Sequence, residues 1–264
     1  MGRGIITFLT DFGTADPYVA AMKGAALSVN PGACLVDISH EIAPQDIAEA
    51  GYVLDCSYRF FPAGTVHAAV VDPGVGGERR ILAAEVDGQL LVAPDNGLLS
   101  AVVVERPASR IIQVENSRFC RQPVSATFHG RDIIAPVAAH LSLGTDLDAL
   151  GPRTTSYVHL DATSARQAGD ALDGEVVHVD RFGNLVTNVF RGQIAAMAGA
   201  GQADVRVGSV LIGPIRRTYS EAAAGESLAV IGSSDRLEIS VNCGSAAEKL
   251  AAGRGTAVRV ARRQ

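Results

Sequence analysis

Residues 5–14 read Ile5-Ile6-Thr7-Phe8-Leu9-Thr10-Asp11-Phe12-Gly13-Thr14. The first six are apolar or β-branched, which is typical of a buried strand, and the polar turn after them ends that strand. Asp16-Pro17 comes next and predicts a helix start, with Asp16 as the N-cap. Apolar residues then recur at helical spacing, at Val19, Met22, Ala26 and Val29. A strand that leads directly into a helix predicts an α/β unit.

The same alternation of strand and helix patterns continues to about residue 163. It predicts strands at Cys34–Ile38 and Val66–Val71, and helices at Pro44–Leu54 and Ile133–Leu143. A hairpin is predicted from Ile81–Val86 and Leu90–Ala93, turning at Asp87-Gly88. We therefore predict an α/β N-terminal domain over residues 1–163, with a central sheet flanked by helices.

The pattern changes in the second half of the chain. Residues 164–173 lose the apolar rhythm and are predicted to be a linker. Short β runs separated by glycine-rich turns then follow at Glu175–Val179, Leu185–Val189, Val205–Val207, Leu228–Ile231, Leu237–Val241 and Ala257–Val260. This predicts an all-β C-terminal domain over residues 174–264, most simply a small sandwich or barrel.

Composition limits the classes of function. Of the 264 residues, 47% are hydrophobic and 19% are charged, as in a compact globular protein. The formal charge of −5 argues against a nucleic-acid partner, because phosphate binding needs a concentrated basic face. No apolar run reaches membrane-spanning length and no secretory pattern precedes the first strand, so we expect no membrane contact and a cytoplasmic location. The four cysteines show no C-x-x-C spacing, so no metal site is expected.

Polar turns after the predicted strands are candidate functional positions, because ligands of open α/β sheets bind beyond the carboxyl ends of strands. Asp11 lies at such an end, where a carboxylate can accept both hydroxyls of a ribose. Asp72 begins a turn with a proline and three glycines, followed by Arg79 and Arg80. A nearby arginine would keep Asp72 ionised as an acceptor or base. A plain β-turn with a surface arginine pair is the alternative.

Two further turns carry candidate residues. His129 stands beside a glycine before a predicted helix and can exchange a proton near neutral pH, although a lone histidine is more often structural. In the second domain, Asp180-Arg181-Phe182-Gly183-Asn184 interrupts two strands. Phe182 could stack on a flat base, and Asn184 offers a donor and an acceptor to its edge. A structural β-turn is again the alternative.

Together and in this order, these turns resemble one known family. The matching stretches are Thr10–Gly13, Asp72–Gly76, Pro94–Leu99, Phe128–Asp132 and Phe182–Asn184, and the similarity continues through Leu237–Asn242. They resemble the S-adenosylmethionine (SAM) hydroxide adenosyltransferases, which are related to the fluorinase and chlorinase enzymes. The resemblance implies an enzyme that hydrolyses SAM by water attack at ribose C5′, giving adenosine and L-methionine. It also implies a homotrimer with sites between neighbouring subunits, and SAM as substrate with no separate cofactor.

The resemblance assigns roles to individual residues. The catalytic trio that handles water would be Asp72, Arg79 and His129, with the adjacent Arg80 as an open alternative to Arg79. The substrate-binding residues would be Asp11 for the ribose hydroxyls, Phe182 and Asn184 for adenine, Asp180 for the methionine amino group and Ser233 for the methionine carboxylate.

Departures from the fluorinase pattern favour water over halide as the nucleophile. Asp72 stands where the fluorinase has a tyrosine, and a carboxylate there would repel a halide by several kcal/mol, roughly 10²-fold or more in occupancy. Two other departures concern the methionine carboxylate contact instead: Ser234 stands where the fluorinase has an arginine, and Asp235 where glycine is commoner. The long fluorinase insertion is absent, since Val86–Leu90 forms a tight turn. A SAM-dependent halogenase and a non-catalytic module that binds adenosine or SAM remain the alternatives.

Overall fold

The computed structural model describes residues 4–103, 106–160, 164–198 and 203–263. The chain divides into two compact units, Met1–Ala162 and Thr163–Gln264. Within the described residues, no helix is both long and apolar enough to cross a membrane.

The first unit is built on a mixed six-stranded sheet. Its strands are β1 (Ile5–Thr10), β2 (Cys34–Ser39), β3 (Val66–Val70), β4 (Ile81–Val86), β5 (Gln89–Pro94) and β6 (Arg110–Gln113). They lie in the order β2-β1-β3-β5-β4-β6. The first four of that order are parallel to one another, and β4 runs antiparallel to both β5 and β6. The carboxyl ends of β1, β3 and β5 therefore face the same edge of the sheet.

Helices cover the sheet on both faces, which confirms the predicted α/β class. They are α1 (Tyr18–Val29), α2 (Ile47–Tyr58), α3 (Ser100–Val103) and α4 (Ala135–Ser142). Side chains of β1 alternate between the faces, so that Ile6 and Phe8 pack with α1 and α4, whereas Leu9 packs with α2. Each face thus has its own buried apolar cluster, and the site loops are anchored between two cores.

Two predicted helix starts differ in the structure. Pro17, rather than Asp16, occupies the N-cap of α1, and no side chain caps that helix. The second helix begins at Ile47 instead of Pro44, because the Asp46 side chain accepts a hydrogen bond from the backbone N–H of Glu49. An N-cap residue such as Asp46, followed three residues later by an acidic residue such as Glu49, predicts a helix start more strongly than Pro44 does.

The helix predicted at Ile133–Leu143 begins earlier, with a π-helical turn at Gly130–Ile134 that leads into α4. Pro136 has no N–H and cannot bond the carbonyl of Asp132. That carbonyl accepts a hydrogen bond from the backbone N–H of Arg121 instead, at 2.8 Å. The π-helical turn places His129 at its N-cap position, next to the sheet edge described above.

The second unit is a closed β-barrel, as predicted. Its strands are β7 (Arg166–Ala168), β8 (Ala171–Val179), β9 (Leu185–Phe190), β10 (Ala203–Val207), β11 (Val210–Arg216), β12 (Ser227–Ile231), β13 (Arg236–Val241) and β14 (Ala257–Arg262). The order is β14-β10-β11-β12-β13-β9-β8-β7, and pairing of β14 with β8 closes a ring of seven strands. The short β7 pairs with β8 outside this ring.

The segment 164–173, predicted as a linker, contains β7 and the first residues of β8. All three residues of β7 are exposed, so this edge strand has no buried face and lacks the apolar alternation of a strand. Strand β11 and the helices α5 (Arg191–Ala198) and α6 (Ala246–Leu250) were not predicted. Gly213 and Pro214 interrupt β11, and both residues are atypical of strand interiors.

Candidate active site

Two carboxylates follow neighbouring parallel strands of the first unit. The register pairs Thr10 of β1 with Val70 of β3, so the two strands end level with each other. Asp11 follows β1 directly, and Asp72 comes two residues after β3. The Oδ2 atom of Asp11 accepts a hydrogen bond from the backbone N–H of Gln45 at 2.8 Å, which fixes the carboxylate at this edge.

Asp72 and Arg79 form a two-point ion pair across the turn that they delimit. Arg79 Nε lies 2.9 Å from Oδ1, and Nη2 lies 2.5 Å from Oδ2. The side chains are 4% and 11% exposed respectively, so the pair is largely shielded from water. The interpretation as a surface arginine pair is therefore wrong for Arg79. A bidentate guanidinium fixes the orientation of the carboxylate plane.

His129 completes the group through the same guanidinium. Arg79 Nη2 lies 2.7 Å from Nδ1 of His129. Because a guanidinium can only donate, Nδ1 accepts and the ring hydrogen of the neutral imidazole is on Nε2. Burial, and next the positive charge of Arg79, lower the pKa of His129 below its usual value. The structure thus brings Asp72, Arg79 and His129 together, with the imidazole neutral at pH 7.

Arg80 points to a different partner. Its Nε and Nη2 atoms donate to Oδ2 of Asp95 at 2.8 and 2.5 Å, and Nη2 also donates to the carbonyl oxygen of Ser156. Asp95 in turn accepts the backbone N–H of Val158. Arg80 therefore ties the segment after residue 150 to the end of β5, and in the structure Arg79 is the arginine that bonds Asp72 and His129.

An aromatic cluster at the same edge was not singled out from the sequence. The ring centroids of Phe12, Tyr18 and Phe128 lie 5.5 to 5.9 Å apart, and Arg131 stacks 5.0 Å from the centroid of Phe128. Phe12 follows Asp11 and Phe128 precedes His129 in the chain. That adjacency is the signal that could have identified the cluster. Tyr18 is nearly half exposed, so the cluster offers an apolar surface to a ligand at this edge.

The remaining predicted binding residues lie together in the second unit. They line a groove of about 780 Å³, which we call the barrel groove, and they are Asp180, Phe182, Asn184 and Ser233. This volume is in the range of small-molecule sites. The Phe182 ring is 76% exposed at the tip of the β8–β9 turn, so its faces are open to stacking.

Asp180 holds the β8–β9 turn together. Its Oδ1 atom accepts the backbone N–H groups of Phe182 and Asn184, at 2.8 and 2.9 Å. Its Oδ2 atom accepts Nδ2 of Asn184 at 2.7 Å. The Asn184 amide is thereby oriented with its nitrogen committed to Asp180 and its oxygen available as an acceptor. The backbone conformation needed for this turn includes a left-handed residue, Gly183, with φ of 79°.

Glu238 and Tyr219 are among the residues of the barrel groove that were not assigned from the sequence. Glu238 of β13 is buried and lines the groove, and Tyr219 lies beside it, with its hydroxyl 3.3 Å from Glu238 Oε2. Burial raises the pKa of the Glu238 carboxyl. The sequence signal was weak, because Glu238 alternates with apolar residues in an ordinary strand pattern.

Comparison with known proteins places both units in one family. The SAM hydroxide adenosyltransferase N-terminal domain model matches residues 6–151, and the C-terminal domain model matches residues 174–259. A Thermus thermophilus protein named (R)-S-adenosyl-L-methionine hydrolase is 38% identical over 262 residues, covering 97% of this chain and 98% of its own. A fluorinase from an Actinoplanes species is 32% identical over 218 residues, covering 72% of this chain and 73% of its own.

A solved structure is also similar to this chain. An uncharacterized conserved protein from Thermotoga maritima superposes with a TM-score of 0.91 at 36% identity, covering 97% of this chain and all of that chain. The two domain models together span most of the 264 residues. The chain belongs to the SAM hydroxide adenosyltransferase family.

Proposed function

We propose that this protein hydrolyses SAM by attack of water at ribose C5′, releasing adenosine and L-methionine. The observation that carries the proposal is the buried Asp72 carboxylate at the carboxyl ends of the parallel strands, held by Arg79, which also bonds His129. The relatives named as SAM hydrolases, 37–41% identical to this chain, support the same activity.

The main requirement of this reaction is that the enzyme positions the reactants. The sulfonium of SAM leaves C5′ as the neutral thioether of methionine, so no acid has to protonate the leaving group and no separate cofactor is needed. What remains is to hold a water molecule in line with the C5′–S bond and to exclude bulk solvent. A fixed carboxylate performs the first task by accepting a hydrogen bond from the water, which directs an oxygen lone pair at C5′.

The tautomer of His129 supports one division of roles within the trio. With Nδ1 occupied by Arg79, the neutral ring presents a donor at Nε2, which leaves Asp72 as the acceptor for the attacking water. As the new C–O bond forms, the water oxygen becomes acidic and its proton passes to the Asp72 carboxylate and then to solvent. Arg79 acts by fixing the carboxylate, and His129 acts by accepting a hydrogen bond from Arg79.

The same carboxylate disfavours the halogenase alternative. A halide at this position would lie against the negatively charged Asp72. Arg79 compensates that charge on the side of the carboxylate where it forms the ion pair. Water suffers no such repulsion and gains an acceptor. Asp11 would bind the ribose hydroxyls, while Phe182 and Asn184 of the barrel groove would bind adenine by stacking and edge hydrogen bonds.

Product analysis tests the proposal. The protein is incubated with SAM in chloride-containing buffer and the nucleoside products are separated by chromatography. We expect adenosine and methionine in equal amounts. Asp72→Ala should lose turnover while still binding adenosine, as measured by calorimetry. Tight adenosine binding without turnover in the wild type would instead indicate the non-catalytic module, and 5′-chloro-5′-deoxyadenosine would indicate the halogenase.

We also propose that the protein works as a homotrimer in which neighbouring chains share sites. The trio and Asp11 lie in the first unit, whereas the adenine-binding residues Phe182 and Asn184 lie in the second, so neither set is sufficient alone. The test mixes Asp72→Ala chains with Phe182→Ala chains after dissociation. Shared sites would restore about a quarter of the activity in randomly mixed rings. Sites formed within single chains would give no recovery, and sedimentation would report the number of subunits.

A further inference from the structure

The turn that carries Asp72 and Arg79 passes the end of a third strand. It connects β3 to β4, and β5 lies between these two strands in the sheet. β5 is parallel to β3 and antiparallel to β4, so the carboxyl end of β5 lies beside the end of β3 and the start of β4. Asp95 and Asn96 directly follow β5 and are therefore adjacent to both ends of the turn.

Each end of the turn is bonded to one of these two residues. Where the chain enters the turn, Asn96 Nδ2 donates to the carbonyl oxygen of Val71 at 2.8 Å. Where the chain leaves it, the backbone N–H of Asp95 donates to the carbonyl oxygen of Arg80 at 2.9 Å. Val71 is fully buried, and a buried carbonyl needs a hydrogen-bond donor. The bond from Asn96 thus holds the peptide group that joins Val71 to Asp72.

The Asn96 side chain is itself held at both of its polar atoms. While Nδ2 makes the bond to the turn, Oδ1 accepts the backbone N–H of Leu98 at 3.3 Å. Gly97 between them is left-handed, with φ of 103°, and a Cβ atom there would overlap the Leu160 side chain. The Ser100 hydroxyl donates to the carbonyl of Gly97 at 2.6 Å. The side chain is therefore fixed in the orientation that its bond to the turn requires.

The position of the Asp72 carboxylate depends on its backbone as well as on Arg79. The guanidinium sets the plane of the carboxylate, but both side chains are carried by the same turn and can shift together when its backbone moves. A displacement of about 1 Å at a reacting group can lower a rate roughly 10²-fold. An anchor outside the turn is therefore needed to hold the carboxylate at a fixed distance from the substrate.

We propose that Asn96 is a positioning residue of the reaction, which holds the backbone at Asp72 so that its carboxylate meets the attacking water. The inference rests on the proposed function and adds to it a residue that acts through the carbonyl of Val71. The sequence gave no role to the stretch Pro94–Leu99, in which Asn96 lies.

Kinetics and ligand binding of two variants test the proposal. Asn96→Ala should lower kcat roughly 10- to 100-fold. Its affinity for adenosine, measured by calorimetry, should change by less than about twofold, because Asp11, Phe182 and Asn184 are unaltered. Asn96→Asp keeps the size of the side chain and the acceptor for Leu98, but replaces the donor with a charged acceptor. At about pH 8, where a carboxyl is ionised, it should lose at least as much kcat.

Asn116 offers a matched control, because it makes the same pair of hydrogen bonds outside the turn. Its Oδ1 accepts the backbone N–H of Arg118, two residues later, at 3.2 Å, and its Nδ2 donates to the carbonyl oxygen of Ala149 at 3.0 Å. Both Asn116→Ala and Asn96→Ala should lower the Tm, by roughly 2 to 4 °C. Only Asn96→Ala should lower kcat, whereas a role of Asn96 in stability alone would make the two variants alike in both measurements.

Nitrogen NMR of the His129 ring reports on the trio without turnover. In the wild type, the shifts should show a protonated Nε2 and an accepting Nδ1, as the bond from Arg79 requires. Asn96→Ala should change these shifts, because a displaced Asp72 moves the guanidinium that it shares with His129. Asn116→Ala should leave them unchanged.

Three results would overturn the inference. They are wild-type kcat in Asn96→Ala, an equal loss of kcat in Asn116→Ala, and unchanged His129 shifts in Asn96→Ala. A wild-type protein that gives the expected His129 shifts, and loses them in Asn96→Ala, but releases no adenosine would refute the proposed function. It would leave the ordering of the trio by Asn96 standing.

Discussion

Arg79 donates through Nη2 to Nδ1 of His129 over 2.7 Å, and the same nitrogen lies 2.5 Å from Oδ2 of Asp72. One guanidinium therefore sets both the plane of the carboxylate and the tautomer of the imidazole. This arrangement makes Asp72 the acceptor in the proposed reaction and keeps His129 neutral.

Arg79→Lys should lower kcat roughly 10²-fold, because a single ammonium cannot reproduce the fork that bonds Asp72 at two points and His129 at a third. Arg80→Lys is the matched control and alters the Asp95 pair instead. We expect it to keep kcat and to lower the free energy of unfolding by about 1 kcal/mol. Steady-state kinetics measure kcat, and thermal unfolding measures stability, for both variants. A comparable loss of kcat in Arg80→Lys would transfer the role to Arg80.

The activity should fall on the acid side as His129 becomes protonated. The pKa of His129 is lowered, so the neutral ring persists below the usual histidine value of about 6.5, and kcat/KM should fall only below that pH. Protonation puts a hydrogen on Nδ1, which then repels Arg79. Between the lowered pKa and 6.5 the unfolded chain binds a proton that the folded chain does not, so stability also falls as the pH falls.

His129→Asn distinguishes the protonation of His129 from that of other groups. The asparagine oxygen can replace Nδ1 as an acceptor and does not titrate. We expect this variant to retain activity and to lack the acid-side loss above the pH where carboxylates titrate. The pH profiles of kcat/KM for the two proteins give the comparison. Identical acid-side losses would show that His129 is not the titrating group.

Much of the fold could be predicted from patterns that involve only a few neighbouring residues. The strand at Ile5–Thr10 and the hairpin at Asp87-Gly88 are confirmed, because apolar patterning and turn chemistry act over a few residues. The pairing of Arg79 with Asp72 could not be distinguished from a surface arginine pair, since the choice between Arg79 and Arg80 depends on Asp95, fifteen positions beyond Arg80. Glu238 was missed for a similar reason, because its hydrogen-bond partner, Tyr219, lies nineteen positions earlier in the chain.

The role of Asp180 also depends on structure. The resemblance assigns it to the methionine amino group, which stays a prediction, and in the structure its oxygens also close the turn that carries Phe182 and Asn184. Asp180→Ala should therefore lower the free energy of unfolding by about 2 kcal/mol and weaken adenosine and SAM by similar factors. Calorimetry with both ligands checks this. Selective loss of SAM binding would restore the direct contact with the amino group.

The turn between Asp72 and Arg79 should be sensitive to one glycine. Gly76 has φ of 77°, and a Cβ atom there would overlap the backbone carbonyl of Ala126. Gly76→Ala should destabilise the protein by about 2 kcal/mol or more and lower kcat by displacing Arg79. At Gly77 the nearest atom to such a Cβ is 3.2 Å away and no left-handed φ is required, so Gly77→Ala should cost much less. Chemical denaturation that ranks the two variants equally would contradict this view of the turn.

In the proposed reaction, a water molecule oriented by Asp72 becomes the 5′-hydroxyl of the product. Hydrolysis of SAM in water enriched with heavy oxygen, followed by mass spectrometry of the nucleoside, traces this oxygen atom. We predict that adenosine carries the label at its 5′ oxygen and that Asp72→Ala produces no labelled adenosine. Unlabelled adenosine from the wild type, a 5′-halogenated nucleoside, or undiminished labelled product from Asp72→Ala would contradict the account.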